Sequence, residues 1–280
     1  AIEERLKELN QNIAVNYTAK SAFDLALYDI AAQAANQPLY AFLGGQQKPI
    51  ESDLTIGIGT PEDMAKQAVA FVAKGVTMIK VKLGKQPADD IERIKQIRSA
   101  IGEKTILRID ANQGWSKEEA LPVLTALSVY DIQFCEQPMH KYYDDYLPAL
   151  CAASPIKIMA DESVFTHHEA RKLIQQKACH YINIKFSKSG GIHEAIKIHD
   201  IGKANGIACM MGGMLESRLA LTAKVHFAMA HDNIHFYDMD TCLLGHKEDP
   251  VIGGVQFNGM HISISDSPGI GATVDPNYLS

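Results

Sequence analysis

Lys80 and Lys82 stand one residue apart in the run Val76-Thr-Met-Ile-Lys80-Val-Lys82-Leu-Gly84. The two-residue period of a strand puts both amines on one face and Ile79, Val81 and Leu83 on the other. Two ammonium groups so close disfavour each other's charge, which pushes at least one towards its neutral form. A lysine neutral near pH 7 is a general base. Lys185, in Tyr181-Ile-Asn-Ile-Lys185, is a second base candidate at the end of another apolar run. Three carboxylates end runs of the same kind: Asp110 in Arg108-Ile-Asp110-Ala-Asn112, Glu136 in Phe134-Cys-Glu136-Gln-Pro138, and Asp161 in Met159-Ala-Asp161-Glu162-Ser163. Converging in a low-dielectric site, they repel one another unless a cation neutralises them. An all-oxygen ligand set selects a hard divalent ion, Mg²⁺ where positions must remain for substrate and water.

The elements that must position these groups follow from the chain's alternation. Apolar runs at Asp53–Ile58, Met78–Leu83, Ile106–Asp110, Ile132–Glu136, Ile156–Ala160, Tyr181–Lys185, Ile207–Met211 and Ile234–Asp238 recur roughly every 25 residues. Helix signals lie between them. Thr60-Pro61-Glu62-Asp63 pairs an N-cap with proline at the first helical position. Ser116-x-x-Glu119 and Thr166-x-x-Glu169 are capping boxes, and Gly75, Gly102 and Gly206 mark helix ends. Eight strands alternating with helices predict an α/β fold, the (β/α)8 barrel of TIM type. An open doubly wound sheet is the rival, but no GxGxxG opens the first unit.

In such a barrel chemistry sits at the C-terminal ends of the strands. Asp110, Glu136 and Asp161 end three consecutive strands, with Lys82 before them and Lys185 after them. A substrate carboxylate bound by the metal between two lysines loses its α-proton to one and regains a proton from the other. That is a 1,1-proton transfer through an enediolate, hence racemisation or epimerisation. With one lysine active, the same intermediate eliminates a β-leaving group. Glu162 is a candidate orienting partner for Lys185.

Outside the barrel region (48–250), residues 1–47 read as the last helices of an N-terminal capping segment, Ile2–Asn10 and Lys20–Asn36. Residues 251–280, with alternation in Met260–Ser265, read as a return that packs on the cap. The first residue is Ala1 and not Met, so either upstream residues complete the cap or the cap is reduced. The 280 residues are 46% hydrophobic and 21% charged with a net charge of −6, an ordinary globular composition that argues against a nucleic-acid footprint. No apolar run approaches the length of a membrane span. Cys135, Cys151, Cys179, Cys209 and Cys242 are odd in number and lack metal spacing, which suggests a reducing, cytoplasmic setting.

Ala19-Lys-Ser-Ala-Phe-Asp24-Leu-Ala-Leu-Tyr-Asp29, Lys80-x-Lys82, Asp110-Ala-Asn112, Glu136-Gln-Pro, Ala-Asp161-Glu162-Ser and Ile-Asn-Ile-Lys185 together resemble the enolase superfamily, in its muconate-lactonising subgroup, over nearly the whole chain. The resemblance implies Mg²⁺ held by Asp110, Glu136 and Asp161, Lys82 and Lys185 as opposed acid and base, and Lys80 tuning Lys82 and facing the substrate carboxylate. It leaves Asp24 and Asp29 as structural polar residues and implies a homo-oligomer. Asp238-Met239-Asp240 at the eighth strand end resembles the dipeptide epimerases of that subgroup, where the pair grips the substrate's α-ammonium. Two carboxylates in a closed pocket do call for a cation. Thr55 and Gly213 are expected to line the pocket. The substrate expected is therefore a dipeptide, with alanyl-glutamate and apolar pairs both open. Muconate cycloisomerase, o-succinylbenzoate synthase and N-acylamino-acid racemase remain alternatives on the same scaffold, and a catalytically dead binding barrel is the alternative of another class.

Overall fold

The computed structural model describes residues 2–244 and 247–279. Eight parallel strands form one sheet in chain order: β1 (Leu54–Ile56), β2 (Met78–Lys82), β3 (Ile106–Asp110), β4 (Ile132–Glu136), β5 (Ile158–Ala160), β6 (Tyr181–Ile184), β7 (Ala208–Gly212) and β8 (Ile234–Asp238). Helices alternate with them, and the fold is the (β/α)8 barrel that the runs predict, with helices Ile2–Asn12 and Tyr17–Ala34 ahead of it. Several strands are shorter than their apolar runs. Asp53 and Lys185 both fall outside, because the ladder ends where the chain turns into a loop or the next helix.

By internal packing the chain divides into two compact units, Asp53–Asn183 with Asn205–Ala208, and Ala1–Ser52 with Ile184–Ala204 and Cys209–Ser280. In the first, the local signals act as their chemistry requires. Thr60 Oγ1 accepts from Asp63 N (3.2 Å), and Ser116 with Glu119 closes a reciprocal capping box. Helix Pro61–Ala73 ends in a Schellman turn: Gly75 at φ +84° donates to the Val72 carbonyl and Val76 N to that of Phe71. Helix Pro87–Ile101 carries Asp90, which is fully buried and fixes two strand-end loops at once. Its carboxylate accepts from Gly84 N (2.9 Å) after β2 and from Trp115 Nε1 (2.9 Å) after β3, while Arg93 balances its charge at 2.8 Å. Gly84 has no room for a side chain, since a Cβ there would lie 1.9 Å from the Ala111 carbonyl oxygen. The segments that follow Lys82 and Asp110 are thus locked against each other.

The second unit holds the two N-terminal helices, β7, β8 and a small antiparallel sheet. Ile50–Glu51 and Gln256–Asn258 there flank His261–Ser263, the strand foreseen in Met260–Ser265. Asp24 is buried and accepts from Ile192 N (2.5 Å) and His193 N (3.2 Å), capping helix Ile192–Ala204. Burial pushes its carboxyl up to about 7 against the pull of those two N–H groups. Asp29 accepts from Ile270 N (2.6 Å). Both aspartates are tied to backbone, as the structural reading of them requires.

His226, fully buried in helix Arg218–Ala230, accepts from Tyr40 N at Nδ1 (3.1 Å) and donates from Nε2 to the Ile270 carbonyl (3.0 Å). Protonating Nδ1 would set two donors head to head, and burial brings the ring's pKa down to about 4. Below pH 6.5 the unfolded chain takes up a proton that the native ring refuses until about pH 4, so this group's contribution to stability is lost as pH falls through that window. Asp24 acts in the opposite sense, because its native carboxyl holds a proton that the unfolded one releases. Comparing wild type with His226→Gln isolates the histidine. The loss of unfolding free energy between pH 7 and pH 4.5, measured by urea denaturation, should be about 2–3 kcal/mol smaller in the variant. Equal losses would refute the assignment.

Candidate active site

Strand register brings the first set of polar groups together. Lys82 lies opposite Asp110, Asp110 opposite Glu136, and Glu136 opposite Met159, which sets Asp161 two residues farther along, just past the end of β5. Asp110, Glu136 and Asp161 are all buried. The Lys80 ammonium sits on two of them, 2.7 Å from Glu136 Oε2 and 3.2 Å from Asp110 Oδ2, with its side chain 1% exposed. Lys82, 29% exposed, donates to the same Asp110 Oδ2 (2.7 Å) and to Asn112 Oδ1 (2.9 Å). The repulsion between the two amines that the sequence implied is therefore offset by a carboxylate they share. Thr55, in the middle of β1, lies opposite Lys80 in register.

Other amides and backbone groups orient the acids. Asn183 donates to Glu136 Oε1 (2.7 Å), and Asn112 N donates to Asp110 Oδ1 (2.9 Å). Asn112 reaches its position at φ +42°, a left-handed conformation that asparagine tolerates. Its amide also donates to Glu162 Oε1 at 3.4 Å, so Glu162 bears on the Lys82 side of the site through Asn112. Gln137 Oε1 accepts from Asp161 N (2.9 Å) and Ser163 N (3.2 Å), which pins the turn carrying Asp161.

Lys80 and Lys82 lie on Asp110 and Glu136, and with Asp161 just past the end of β5 these carboxylates make a buried, all-oxygen donor set. That is the chemistry of a hard divalent cation, and the residues fit one. Among the described residues no three carboxylate, imidazole or thiol groups stand close enough to grip an ion as they are. Lys80 is the cation that the acids already hold.

The other predicted residues belong to the second compact unit. Lys185 is buried at the first position after β6 and opens the short helix Phe186–Ser189. Asp238 ends β8 opposite Gly212, and both Asp238 and Asp240 are buried. Gly213 is there for lack of space: a Cβ on it would meet Thr241 Cγ2 at 2.8 Å and the Asp238 carbonyl at 3.0 Å. Met239 N donates to Ser52 Oγ (2.8 Å), which fixes the residue between the two aspartates.

Lys224 escaped the sequence reading. It is fully buried in helix Arg218–Ala230, and its ammonium donates to the Gly212 carbonyl (2.7 Å) and pairs with Glu216. Burial lowers its pKa, Glu216 and Asp238 oppose that, and Lys185 adds to it. The available signal was one lysine inside the buried run Leu221–Met229.

Residues 63–278 match the family described as enolase C-terminal domain-like, and residues 1–44 match the mandelate racemase/muconate lactonizing enzyme N-terminal domain. The chain belongs to the enolase superfamily. Among its superfamily relatives, the D-Ala-D/L-Ala epimerase of Cytophaga hutchinsonii is 45% identical over 95% of this chain and 72% of its own length. The crystal structure of a Cytophaga hutchinsonii dipeptide epimerase complexed with Mg and D-Ala-L-Val superposes with a TM-score of 0.97 at 43% identity, covering 99% of this chain and 76% of that one. The N-succinyl Arg/Lys racemase of Bacillus cereus reaches 0.95 at 29% identity, covering 99% and 75%. Backbone likeness within the superfamily therefore does not distinguish a free ammonium from an acylated one; side chains must.

Proposed function

We propose that this superfamily member is a Mg²⁺-dependent dipeptide epimerase that inverts the α-carbon next to the substrate's carboxylate. The observation that carries the reading is the buried pair Asp238 and Asp240 at the end of β8, in a chain that also presents Lys82, Lys185 and three buried carboxylates. Asp110, Glu136 and Asp161 are the residues that would hold the ion, which supplies positive charge to a substrate carboxylate as its α-carbon loses a proton. Lys80 neutralises Asp110 and Glu136 and keeps positive charge on the carboxylate side. Lys82 takes the α-proton from one face and Lys185 delivers a proton to the other, each reversing its part for the opposite epimer. Asn112 and Asp110 aim the Lys82 amine. Asp238 and Asp240 hold the ammonium, and their burial makes an acylated, uncharged nitrogen a poor occupant. Residues 1–47 and 251–280 serve on this reading as cap and return around the 48–250 barrel.

A dipeptide library incubated in D₂O with Mg²⁺ and read by mass tests this. Active dipeptides should gain one deuterium at the α-carbon of the C-terminal residue and become epimer mixtures. Asp238→Asn or Asp240→Asn should cut kcat/KM about tenfold to hundredfold, the value of a buried charged hydrogen bond. Exchange on N-acylated amino acids, undiminished by either substitution, would instead establish an acylamino-acid racemase.

A further inference from the structure

Two short loops flank the aspartate pair, residues 213–217 after β7 and residues 241–244 after Asp240, and both present apolar side chains to solvent. Met214 is 45% and Leu215 81% exposed on the first, Leu243 47% and Leu244 41% on the second. Scattered exposed leucines carry no message, but here four large apolar side chains fall on two adjoining loops beside the aspartate pair. The loops adjoin because Gly212 pairs with Asp238 and because Gly213 lies against Thr241 and the Asp238 carbonyl.

The first loop is not held by its own apolar contacts. Lys224, buried beneath it, binds the Gly212 carbonyl and Glu216, and Glu216 Oε1 also accepts from Met214 N (3.0 Å). Ser217 then caps helix Arg218–Ala230. A buried ion pair thus sets the loop from below at both ends, and that support leaves Leu215 facing outward. Glu216, the loop's one carboxylate, is 13% exposed and already paired with Lys224, so the loop's charge is taken up from within while Met214 and Leu215 stay exposed.

Resting on the dipeptide reading, we infer that Leu215 and Leu244 determine specificity: the substrate residue bearing the ammonium carries an uncharged, apolar side chain that packs on them. A charge placed there would be desolvated against leucine with no partner, whereas a methyl or isobutyl group gains burial. On the dipeptide reading the residue whose α-carbon inverts is held by its carboxylate and not by its ammonium, so these loops are not expected to select it.

The test compares dipeptides with a common C-terminal residue and Ala, Leu, Lys or Glu at the N-terminal position. Wild type should favour Ala or Leu over Lys by about tenfold or more in kcat/KM. Leu215→Glu should raise the Lys-to-Leu ratio by about tenfold or more, mainly through KM, while the ranking over C-terminal residues stays as in wild type. Leu215→Met should keep the wild-type profile. A wild type indifferent to the N-terminal side chain, or a Leu215→Glu change that moves selectivity only at the C-terminal residue or nowhere, overturns the inference and leaves the epimerase reading standing. Failure of every dipeptide to exchange overturns both.

Discussion

Lys185→Ala should abolish epimerisation, by about 10²–10⁴-fold, without abolishing proton exchange. On a two-base site each lysine serves one face of the α-carbon. With Lys185 gone, Lys82 keeps its contacts to Asp110 and Asn112, which lie within its own compact unit, and still removes the proton of the epimer that faces it. That epimer should incorporate deuterium from D₂O and retain its configuration, while the other epimer stays protonated. Lys82→Ala should show the mirror result, with exchange surviving in the opposite epimer only. Chiral chromatography followed by mass spectrometry separates the four signals. Epimerisation that persists in either variant, or exchange of both epimers by a single-lysine enzyme, would refute the opposed-base mechanism. A folding defect lowers all four signals together and cannot mimic the asymmetry.

The reason so much of this site was legible in the sequence is geometrical. A barrel strand ends at a predictable place, and the residue at that place is a functional candidate, so Asp110, Glu136 and Asp161 could be picked out as a set from their spacing alone. Lys80 and Lys82 followed from period-two alternation, which the register with β1 and β3 bears out. Alternation could not reveal that an acid from the next strand would sit between the amines, since that depends on side-chain length and on the tilt of neighbouring strands. Asp90 and Trp115 lie 25 residues apart and look like ordinary helix and loop residues until the fold brings them to 2.9 Å. Lys224 was hidden for the same reason: helical periodicity identifies the buried face but not a cation that finds a carbonyl and a carboxylate inside it. Gly213 was foreseen as a pocket residue, and the structure supplies the physical cause for glycine there, namely the approach of Thr241 and Asp238.

Lys80→Met should cost about 3–5 kcal/mol of unfolding free energy in metal-free buffer, because it removes the ammonium from two fully buried carboxylates and puts nothing in its place. Methionine nearly matches the lysine stem in volume, so the loss measures charge more than packing. Lys82→Met makes the control: its side chain is 29% exposed and its amine contacts only Asp110 of the three acids, so the expected loss is smaller. Mg²⁺ should then act differently on the two proteins. In Lys80→Met, Glu136 has lost the Lys80 ammonium and Asp110 retains only that of Lys82 of the two, and a divalent ion bound only by the native state restores about 2.7 kcal/mol at a hundredfold excess over its dissociation constant. Wild type carries Lys80 in competition for the same oxygens and should gain less from the same Mg²⁺ concentration. Urea denaturation with and without Mg²⁺ reads both terms without any substrate. A Lys80→Met protein as stable as wild type in chelator, or one that gains no more from Mg²⁺ than wild type does, would mean that Asp110 and Glu136 are not the pair on which lysine and metal converge.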